Sequence, residues 1–235
     1  MDEARLRANL QAVEERIRSA SKRSGRSNAV AIVAVTKGHP VDAVRAALSV
    51  GLRRLGENRV AELDEKVAEV GRQAAEWHLI GHLQRNKVRR ALQLFDLIHS
   101  IDSLRLASEL SAEAERTGSR VRGLVEVNVS GEETKGGFEA TESLESAAEE
   151  IRAVAALPGL DVRGLMTMAP YTSDERVLRR TFGRARELFE LCGGEVAGFT
   201  AEHLSMGMSN DFETAVEEGS TMVRLGTILF GERVS

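Results

Sequence analysis

Lys37 is the residue of this sequence whose type and position most directly suggest chemistry. It closes the apolar run 31–36, whose β-branched residues are typical of a strand buried on both faces. An amine in a partly desolvated pocket loses its proton readily and can attack an aldehyde to form a Schiff base. The alternative is an ammonium that reaches water at the strand end, and this residue alone favours that alternative.

Two short loops rich in glycine and hydroxyl residues could bind an anion such as a phosphate. One loop covers 205–211 and the other begins at Gly226. Glycine lets backbone N–H groups approach an anion closely, and Ser205, Ser209 and Thr227 add hydroxyl donors. Because such loops are common, they leave phosphate binding and a purely structural role about equally open.

Arg224 stands inside the apolar run 222–226, so its guanidinium needs a polar partner. One interpretation is an ion pair with a carboxylate such as Glu57, Glu126 or Glu202. The other is a hydrogen bond to a ligand that lies beside the two glycine-containing loops. The residue alone slightly favours the ion pair.

Several other polar residues have an ordinary structural explanation. Cys192 is the single cysteine, which excludes an intramolecular disulfide and a structural thiolate metal site. His78 and His82 lie on a predicted strand and the turn after it, so they would not converge on zinc as two histidines on one helix face would. Asn58 and Asn128 could bond a ligand or cap the helix that follows, and capping is the commoner role.

The elements that must position these residues alternate along the chain. An amphipathic helix over 2–22 comes first, followed by eight predicted strands with seven helices between them. This alternation indicates an α/β fold with a parallel sheet, and eight strands suggest a (β/α)8 TIM barrel. A doubly wound open sheet is the runner-up, but its Gly-x-Gly-x-x-Gly turn is missing after the first strand. The strands are predicted at 29–36, 52–56, 77–81, 95–101, 121–129, 160–168, 203–207 and 222–226. The helices are predicted at 40–50, 58–73, 84–93, 103–117, 138–156, 174–192 and 210–218.

The order of the predicted strands places the polar residues at one end of this barrel. Functional groups of such barrels lie at the C-terminal strand ends, and phosphate often binds in the loops after strands 7 and 8. Lys37 follows the first strand, Asn58 follows the second, and the two glycine-containing loops follow the seventh and eighth. The helix after the seventh strand is predicted to begin near Asn210, with Asn210 and Glu213 as a capping box.

Length and composition limit the class of protein. The chain has 235 residues, 42% of them hydrophobic, and a formal net charge of −4. We expect a single domain over 1–235, with 1–24 as a helix packed on the barrel. This net negative charge differs from the strongly positive net charge that is typical of a nucleic-acid-binding protein. Neither a signal segment nor a run of roughly 18 apolar residues is present, so we expect a cytoplasmic protein without a membrane partner.

Several ordered motifs resemble those of one family. They are Ala-Val-Thr-Lys at 34–37, Gly-Glu-Asn at 56–58, the stretches 77–87 and 205–211, and Val-Arg-Leu-Gly at 223–226. Together they resemble the YggS/PROSC family of pyridoxal 5′-phosphate (PLP) homeostasis proteins over essentially the whole chain. The resemblance implies a fold-type III PLP barrel similar to the N-terminal domain of alanine racemase.

The resemblance also implies roles for individual residues. Lys37 corresponds to the Schiff-base lysine and Arg224 to the arginine that faces the pyridine nitrogen. Ser209 is a weaker candidate for the site, and Lys135 could be a second, transient PLP-reactive amine or an exposed loop lysine. The implied cofactor-binding residues are Lys37, Asn58, Ser205, Met206, Arg224, Gly226 and Thr227, of which Ser205, Gly226 and Thr227 are expected to hold the phosphate.

The function implied by the resemblance is a monomeric carrier that buffers PLP or delivers it to PLP-dependent apo-enzymes, without a defined catalytic activity. The alternative is an amino-acid racemase or another amino-acid-active PLP enzyme. Racemisation needs acid/base groups on both faces of the substrate carbon. The sole tyrosine, Tyr171, cannot be placed opposite Lys37, and we expect no room for the second domain of alanine racemases. A third hypothesis is a barrel enzyme that acts on a phosphorylated metabolite without PLP.

Overall fold

Eight parallel strands close into a barrel in the computed structural model, which describes residues 2–26, 29–132 and 135–232. The strands are β1 (Ala31–Val35), β2 (Arg54–Glu57), β3 (Glu76–Leu79), β4 (Leu97–Ile101), β5 (Val121–Asn128), β6 (Phe138–Glu139), β7 (Leu160–Met166), β8 (Phe199–Ser205) and β9 (Met222–Leu225). β1 pairs with β2 on one side and with β9 on the other, and the pairing of β4 with β5 completes the ring. The two-residue β6 pairs with β5 outside the ring.

Helices follow the strands and cover the outside of the barrel. None of them, within the described ranges, is long and apolar enough to cross a membrane. Two short 3-10 turns, Arg72–Ala74 and Arg85–Lys87, precede β3 and α4. The helices are α1 (Glu3–Ser24), α2 (Val41–Ser49), α3 (Val60–Val70), α4 (Val88–Leu94), α5 (Leu104–Arg116), α6 (Leu144–Ala155), α7 (Glu175–Glu195), α8 (Phe212–Glu217) and α9 (Thr227–Phe230).

The predicted (β/α)8 barrel with an additional N-terminal helix is confirmed, but some element bounds were wrong. The seventh barrel strand was predicted at 203–207 and runs over Phe199–Ser205. Its residues 200–202 are exposed, so no apolar run marks its beginning. The helix predicted over 138–156 begins only at Leu144, because the short β6 occupies the first positions. The helix α9 was missed because four residues are too few for a periodic pattern.

The barrel interior changes from apolar to polar toward the C-terminal ends of the strands. A small apolar cluster fills its middle, made of Val33, Leu97, Leu124, Met166 and Met222. Side chains two residues further along a strand share the same face. Counting on from this cluster therefore places His99, Glu126 and Arg224 inside the barrel, one layer nearer the mouth. All three are buried.

The N-terminal helix α1 packs behind the last two helices of the chain. Its buried face consists of Leu6, Leu10, Val13, Ile17 and Ala20. Asn9 Nδ2 donates to Leu229 O of α9 at 2.9 Å, and Arg16 lies 4.6 Å from the Phe212 ring centroid of α8 while it pairs with Glu213. α1 therefore supports the two elements that follow the seventh and eighth barrel strands.

Gly164 fixes the register between β7 and β8. Its φ is +143°, and a Cβ at this position would lie 1.9 Å from His203 O. The pairing slips between Val162↔Phe199 and Gly164↔His203, so β8 accommodates two extra residues and Ser205 comes to lie opposite Met166. The close approach at Gly164 thus sets which side chains β8 presents at the mouth.

We expect Gly164→Ala to lower the free energy of unfolding by about 3 kcal/mol, because the added methyl group meets a backbone carbonyl and the φ is unfavourable for alanine. Equilibrium urea unfolding measures the change. The control is Gly194→Ala in α7, where a Cβ meets nothing within 4 Å and helix propensity favours alanine by about 0.8 kcal/mol. Equal stability of the two variants would contradict the role given to Gly164.

Candidate functional site

Lys37 and Asn58 lie side by side at the C-terminal mouth of the barrel. The pairing of Val35 with Gly56 brings the ends of β1 and β2 together. Lys37 is half-buried, and its Nζ donates to Asn58 Oδ1 at 3.3 Å. The two residues that were predicted from separate motifs are therefore in contact, although helix capping was the commoner expectation for Asn58.

Gly81 keeps Asn58 in this position, a role that the sequence did not reveal. A Cβ at Gly81 would lie 2.6 Å from Asn58 Cγ and 2.7 Å from Asn58 O. Only glycine therefore lets the turn after β3 approach Asn58 so closely. Ser100 Oγ holds the same turn from β4 by donating to Gly81 O at 2.7 Å.

A buried lysine of α3 holds the backbone that carries Lys37. Lys66 Nζ donates to Thr36 O at 2.8 Å, to Glu57 Oε1 at 2.7 Å and to Glu62 Oε1 at 2.9 Å. Glu62 also accepts from Gly38 N, and Glu57 accepts from Thr36 Oγ1, both at 2.5 Å. The residues on both sides of Lys37 are thus fixed by one charged cluster.

The same cluster was not predicted, although its signal is present in the sequence. Lys66 stands three residues after Leu63 on the buried face of α3, where a charged residue is unusual. Glu62 is four residues before it, the favourable order for a helical ion pair. Burial raises the pKa of Glu57, and attraction to Lys66 opposes the rise. The Oε2 atom of Glu57 is buried without a hydrogen-bond partner among the described residues.

Arg224 lies inside the barrel with its guanidinium bonded to strand-end oxygens. Nη1 donates to Ser205 O at 2.8 Å and to Ser205 Oγ at 2.7 Å, and Nη2 donates to Thr167 O at 3.0 Å. Burial lowers the pKa of Arg224 to about 10, which leaves the group charged at neutral pH. Its charge is therefore held by carbonyl and hydroxyl oxygens.

The carboxylates considered as ion-pair partners of Arg224 have other positions. Glu57 pairs with Lys66, and Glu202 pairs with Arg163 at 2.8 Å. Glu126 is buried and influences Arg224 through longer-range attraction. The ion pair predicted as one interpretation of Arg224 is therefore not formed with these three carboxylates. Arg224 instead donates hydrogen bonds to the neutral oxygens of Ser205 and Thr167.

Ser205 and Met206 lie deeper than the mouth. Both side chains are fully buried. The Ser205 hydroxyl contacts Arg224 Nη1 at 2.7 Å and His99 Nδ1 at 3.0 Å, whereas Met206 belongs to the main hydrophobic core. The structure thus places both residues beneath the mouth, with Ser205 in contact with Arg224, and their roles at a cofactor stay predictions.

The loops after β8 and β9 meet, and the anion site predicted for them stays a prediction. Ser209 Oγ accepts from Ile228 N at 3.3 Å, which joins the first loop to the beginning of α9. Thr227 is exposed and Gly226 half-buried at this junction. Gly226 also adjoins β1, because a Cβ there would lie 3.5 Å from Val35 Cβ.

The predicted capping box at Asn210 was wrong. α8 begins at Phe212, so Asp211 takes the N-cap position. The Asp211 carboxylate turns back to accept from Met208 N at 2.6 Å and stabilises the loop instead of the helix. Gly207, with a φ of +96°, makes the preceding turn possible.

The remaining predicted residues surround the mouth. Lys135 Nζ donates to Met168 O at 3.0 Å, so this lysine is engaged rather than freely exposed. Asn128 does not cap a helix but holds its own loop, since its Oδ1 accepts from Ser130 N and Gly131 N, both at 3.2 Å. Across residues 2–26, 29–132 and 135–232, no group of three or more His, Cys, Asp or Glu residues could hold a metal ion.

Glu126 should make the stability of the protein depend on pH. Burial and the nearby Asp102 raise the pKa of Glu126 to about 7, against the attraction of Arg224 and His82. The unfolded value is about 4.3, so between these pH values the folded state binds the extra proton and loses stability as pH rises. We expect Glu126→Gln to flatten this decline by up to about 1.4 kcal/mol per pH unit, measured by urea unfolding at several pH values.

The matched control for this measurement is Glu109→Gln, which changes an exposed glutamate of α5. Its profile should follow that of the unmodified protein. A Glu126→Gln profile as steep as that of the control would show that Glu126 is ionised in the folded state throughout the range.

Comparison with known proteins identifies relatives of similar length. The chain is 42% identical over 225 residues to the pyridoxal phosphate homeostasis protein of Aquifex aeolicus, covering 95% of this chain and 96% of the relative. It is 40% identical over 230 residues to the protein of the same name from Escherichia coli K12, covering 96% and 95%.

Solved structures similar to this chain include a protein of similar length and a longer enzyme. PipY of Synechococcus elongatus with PLP bound is similar with a TM-score of 0.82 and 33% identity, covering 96% of this chain and all of that chain. An alanine racemase of Clostridium difficile has a TM-score of 0.76 at 19% identity and is covered over 58% of its length, which shows a shared fold alone.

A family model is the third finding. The model of the alanine racemase N-terminal domain matches residues 8–234, nearly the whole chain. The resemblance seen in the ordered motifs is confirmed by this match and by the identities to the relatives. The chain therefore belongs to the alanine racemase N-terminal domain family and, within it, to the pyridoxal phosphate homeostasis proteins.

Proposed function

We propose that this chain binds PLP at the C-terminal mouth of its barrel and takes part in PLP homeostasis, as a buffer or carrier of the cofactor. The observation that carries the proposal is an amine and a buried guanidinium on neighbouring strands. Lys37 follows β1, and β1 pairs with β9 in the register Val33↔Arg224. The names of the relatives and the PLP bound to PipY support the proposal.

The groups around the mouth suit the three functional groups of PLP. The cofactor presents an aldehyde, a pyridine nitrogen and a phosphate. An amine suits the first, a fixed cationic donor suits the second, and a loop junction with hydroxyl and backbone N–H groups suits the third. Lys37, Arg224 and the junction of Ser209 with α9 offer these groups in one region.

Lys37 is the residue that we propose to hold the cofactor covalently. Its Nζ would attack the aldehyde carbon, the carbonyl oxygen would leave as water, and a Schiff base would remain. Asn58 orients the amine through its Oδ1 atom, and the Lys66 cluster fixes the backbone on both sides. The nucleophile is therefore preorganised by the chain itself.

Arg224 favours holding the cofactor over using it for catalysis. A permanent positive charge beside a pyridine nitrogen disfavours protonation of that nitrogen. PLP supplies an electron sink when bound, and an unprotonated ring is a weaker one. Ser205 belongs to this proposal because its hydroxyl and carbonyl oxygens hold Arg224.

The phosphate is proposed to lie against Gly226 and Thr227, with Ser209 as an additional donor. Thr227 is exposed at the N-terminal end of α9, and Ser209 lies beside Ile228. Met206 supports this loop from the core beneath it. Asn9 of α1 holds α9 from behind by donating to Leu229 O.

The carrier is supported over the racemase alternative by the position of Tyr171. This side chain is 91% exposed in the segment after β7 and so is poorly placed to serve as a second base over Lys37. The proposal includes a single-domain monomer in the cytoplasm, with PLP-dependent apo-enzymes as the recipients of the cofactor. Absence of amino-acid turnover by the PLP-loaded protein is part of the same proposal.

Substitution of Lys37 tests the covalent attachment. We expect protein incubated with PLP to show a visible imine absorption band, and borohydride reduction to fix the cofactor on Lys37. In Lys37→Ala the band should be lost and the reduced adduct should be absent, as measured by absorbance and peptide mass spectrometry. The matched control is Lys135→Ala, which removes another lysine at the mouth and should keep both signals.

A visible band and a reduced adduct that persist in Lys37→Ala would assign the chemistry to another lysine. Conversion of any of a panel of amino acids by the PLP-loaded protein, read by chiral chromatography and exceeding that of free PLP, would favour the racemase alternative. A colourless protein that binds phosphate esters would favour the barrel enzyme without PLP.

A further inference from the structure

A line of polar side chains crosses the barrel interior from Arg224 toward β3. Arg224 Nη1 lies 2.7 Å from Ser205 Oγ, which lies 3.0 Å from His99 Nδ1. His99 Nε2 lies 2.8 Å from His78 Nδ1. Ser205, His99 and His78 are fully buried. The line ends near Glu76, whose Oε1 is 3.4 Å from His78 Nε2. This contact is electrostatic, because the distance is long for a hydrogen bond.

The donor and acceptor properties of these groups determine the direction of every hydrogen bond. A guanidinium only donates, so Ser205 Oγ accepts from Arg224. The hydroxyl proton of Ser205 can then be donated to His99 Nδ1. A neutral imidazole that accepts at Nδ1 carries its proton on Nε2, so His99 donates to His78 Nδ1. By the same rule His78 carries its proton on Nε2, which is buried without a hydrogen-bond partner among the described residues and lies 3.4 Å from Glu76 Oε1.

The opposite direction is unfavourable at both ends. If His99 Nδ1 donated to Ser205, the buried hydroxyl proton would lose its acceptor in the line, which is costly. His78 would then turn the lone pair of Nε2 toward the Glu76 carboxylate, and two acceptors would face each other. Both ends of the line therefore select the same order of protons.

The charge states agree with this order. Burial lowers the pKa of His99 well below its ordinary value and also lowers the pKa of His78, so both rings are neutral. The facing His78 ring lowers the pKa of Glu76 to about 2, which keeps its carboxylate ionised at neutral pH. An ionised carboxylate near one ring nitrogen of a neutral imidazole favours the tautomer with the proton on that nitrogen.

We propose that Ser205, His99 and His78 are positioning residues that fix the orientation of the Arg224 guanidinium through one ordered line of hydrogen bonds. The line commits the Ser205 hydroxyl as an acceptor from Arg224 and a donor to His99. The hydroxyl is therefore not a phosphate donor, and the Thr227 and Ser209 hydroxyls remain for that role. The ligand atom that Arg224 faces rests on the proposed function, whereas the line of hydrogen bonds does not.

Nuclear magnetic resonance of the cofactor-free protein tests the order of protons directly. Two-bond ¹H–¹⁵N correlation spectra of histidine-labelled protein at neutral pH distinguish a proton on Nε2 from one on Nδ1. We expect His78 and His99 to carry the proton on Nε2. His82 is the internal contrast, because its Nδ1 faces the Asp102 carboxylate at 2.8 Å and should carry a proton. A proton on Nδ1 of His99, or a doubly protonated ring, would overturn the proposal.

Ser205→Ala tests the positioning of Arg224, with Ser205→Thr as the variant that keeps the hydroxyl. In Ser205→Ala we expect the exchange of the two Nη groups of Arg224 to become about tenfold faster, because one hydrogen bond to a charged group is lost. His99 should lose its single tautomer, while His82 stays unchanged and Ser205→Thr restores both signals. Unchanged Arg224 and His99 signals in folded Ser205→Ala would refute the line.

PLP is absent from both measurements, so their outcome is independent of the proposed function. Failure of PLP to bind would leave the tautomers of His78 and His99 as predicted. If Ser205→Ala does not fold, the tautomer spectrum of the unmodified protein still decides the direction of the line.

Discussion

The burial of the Arg224 guanidinium is the constraint on which the rest of the mouth depends. A guanidinium remains charged when it is removed from water, so its surroundings must supply oxygen atoms. The barrel supplies them where β8 and β7 end, at Ser205 and Thr167. Ser205 O accepts both from Arg224 Nη1 and from Thr167 N, and Thr167 O accepts from Arg224 Nη2. The charge thus specifies where β7, β8 and β9 must end relative to one another.

The two sides of the mouth are stabilised by different physical means. On the β1 side, charged groups neutralise each other, since Lys66 lies among Glu57 and Glu62 beneath Lys37. On the β9 side, a single charge is solvated by neutral dipoles and by the Ser205 hydroxyl. The first arrangement fixes a backbone segment, and the second fixes one side chain. Together they hold an amine and a guanidinium in place before any ligand arrives, which is how preorganised sites reduce the cost of binding.

The sequence was sufficient for the barrel and for the position of Lys37 and Asn58 at its mouth, because both depend on local patterns. Alternating apolar runs predicted the eight strands, and their order placed Lys37 and Asn58 at one end. What remained hidden depends on contacts between distant segments. The roles of Gly81 and Lys66 appear only when the turn after β3 and the buried face of α3 are seen against the strand ends. The surroundings of Arg224 were likewise unpredictable, since carbonyl oxygens leave no signature in side-chain composition.

The pairing of β1 with β9 has a consequence for how the protein is made. The site spans the seam between the first and the last barrel strands, with Lys37 on one side and Arg224 on the other. During synthesis on the ribosome, β1 leaves the exit tunnel long before β9 exists, so its edge stays open until translation of the barrel is nearly complete. The helix α1 likewise lacks its packing partners until α8 and α9 have been synthesised. A complete mouth therefore forms only after β9 has emerged and paired with β1.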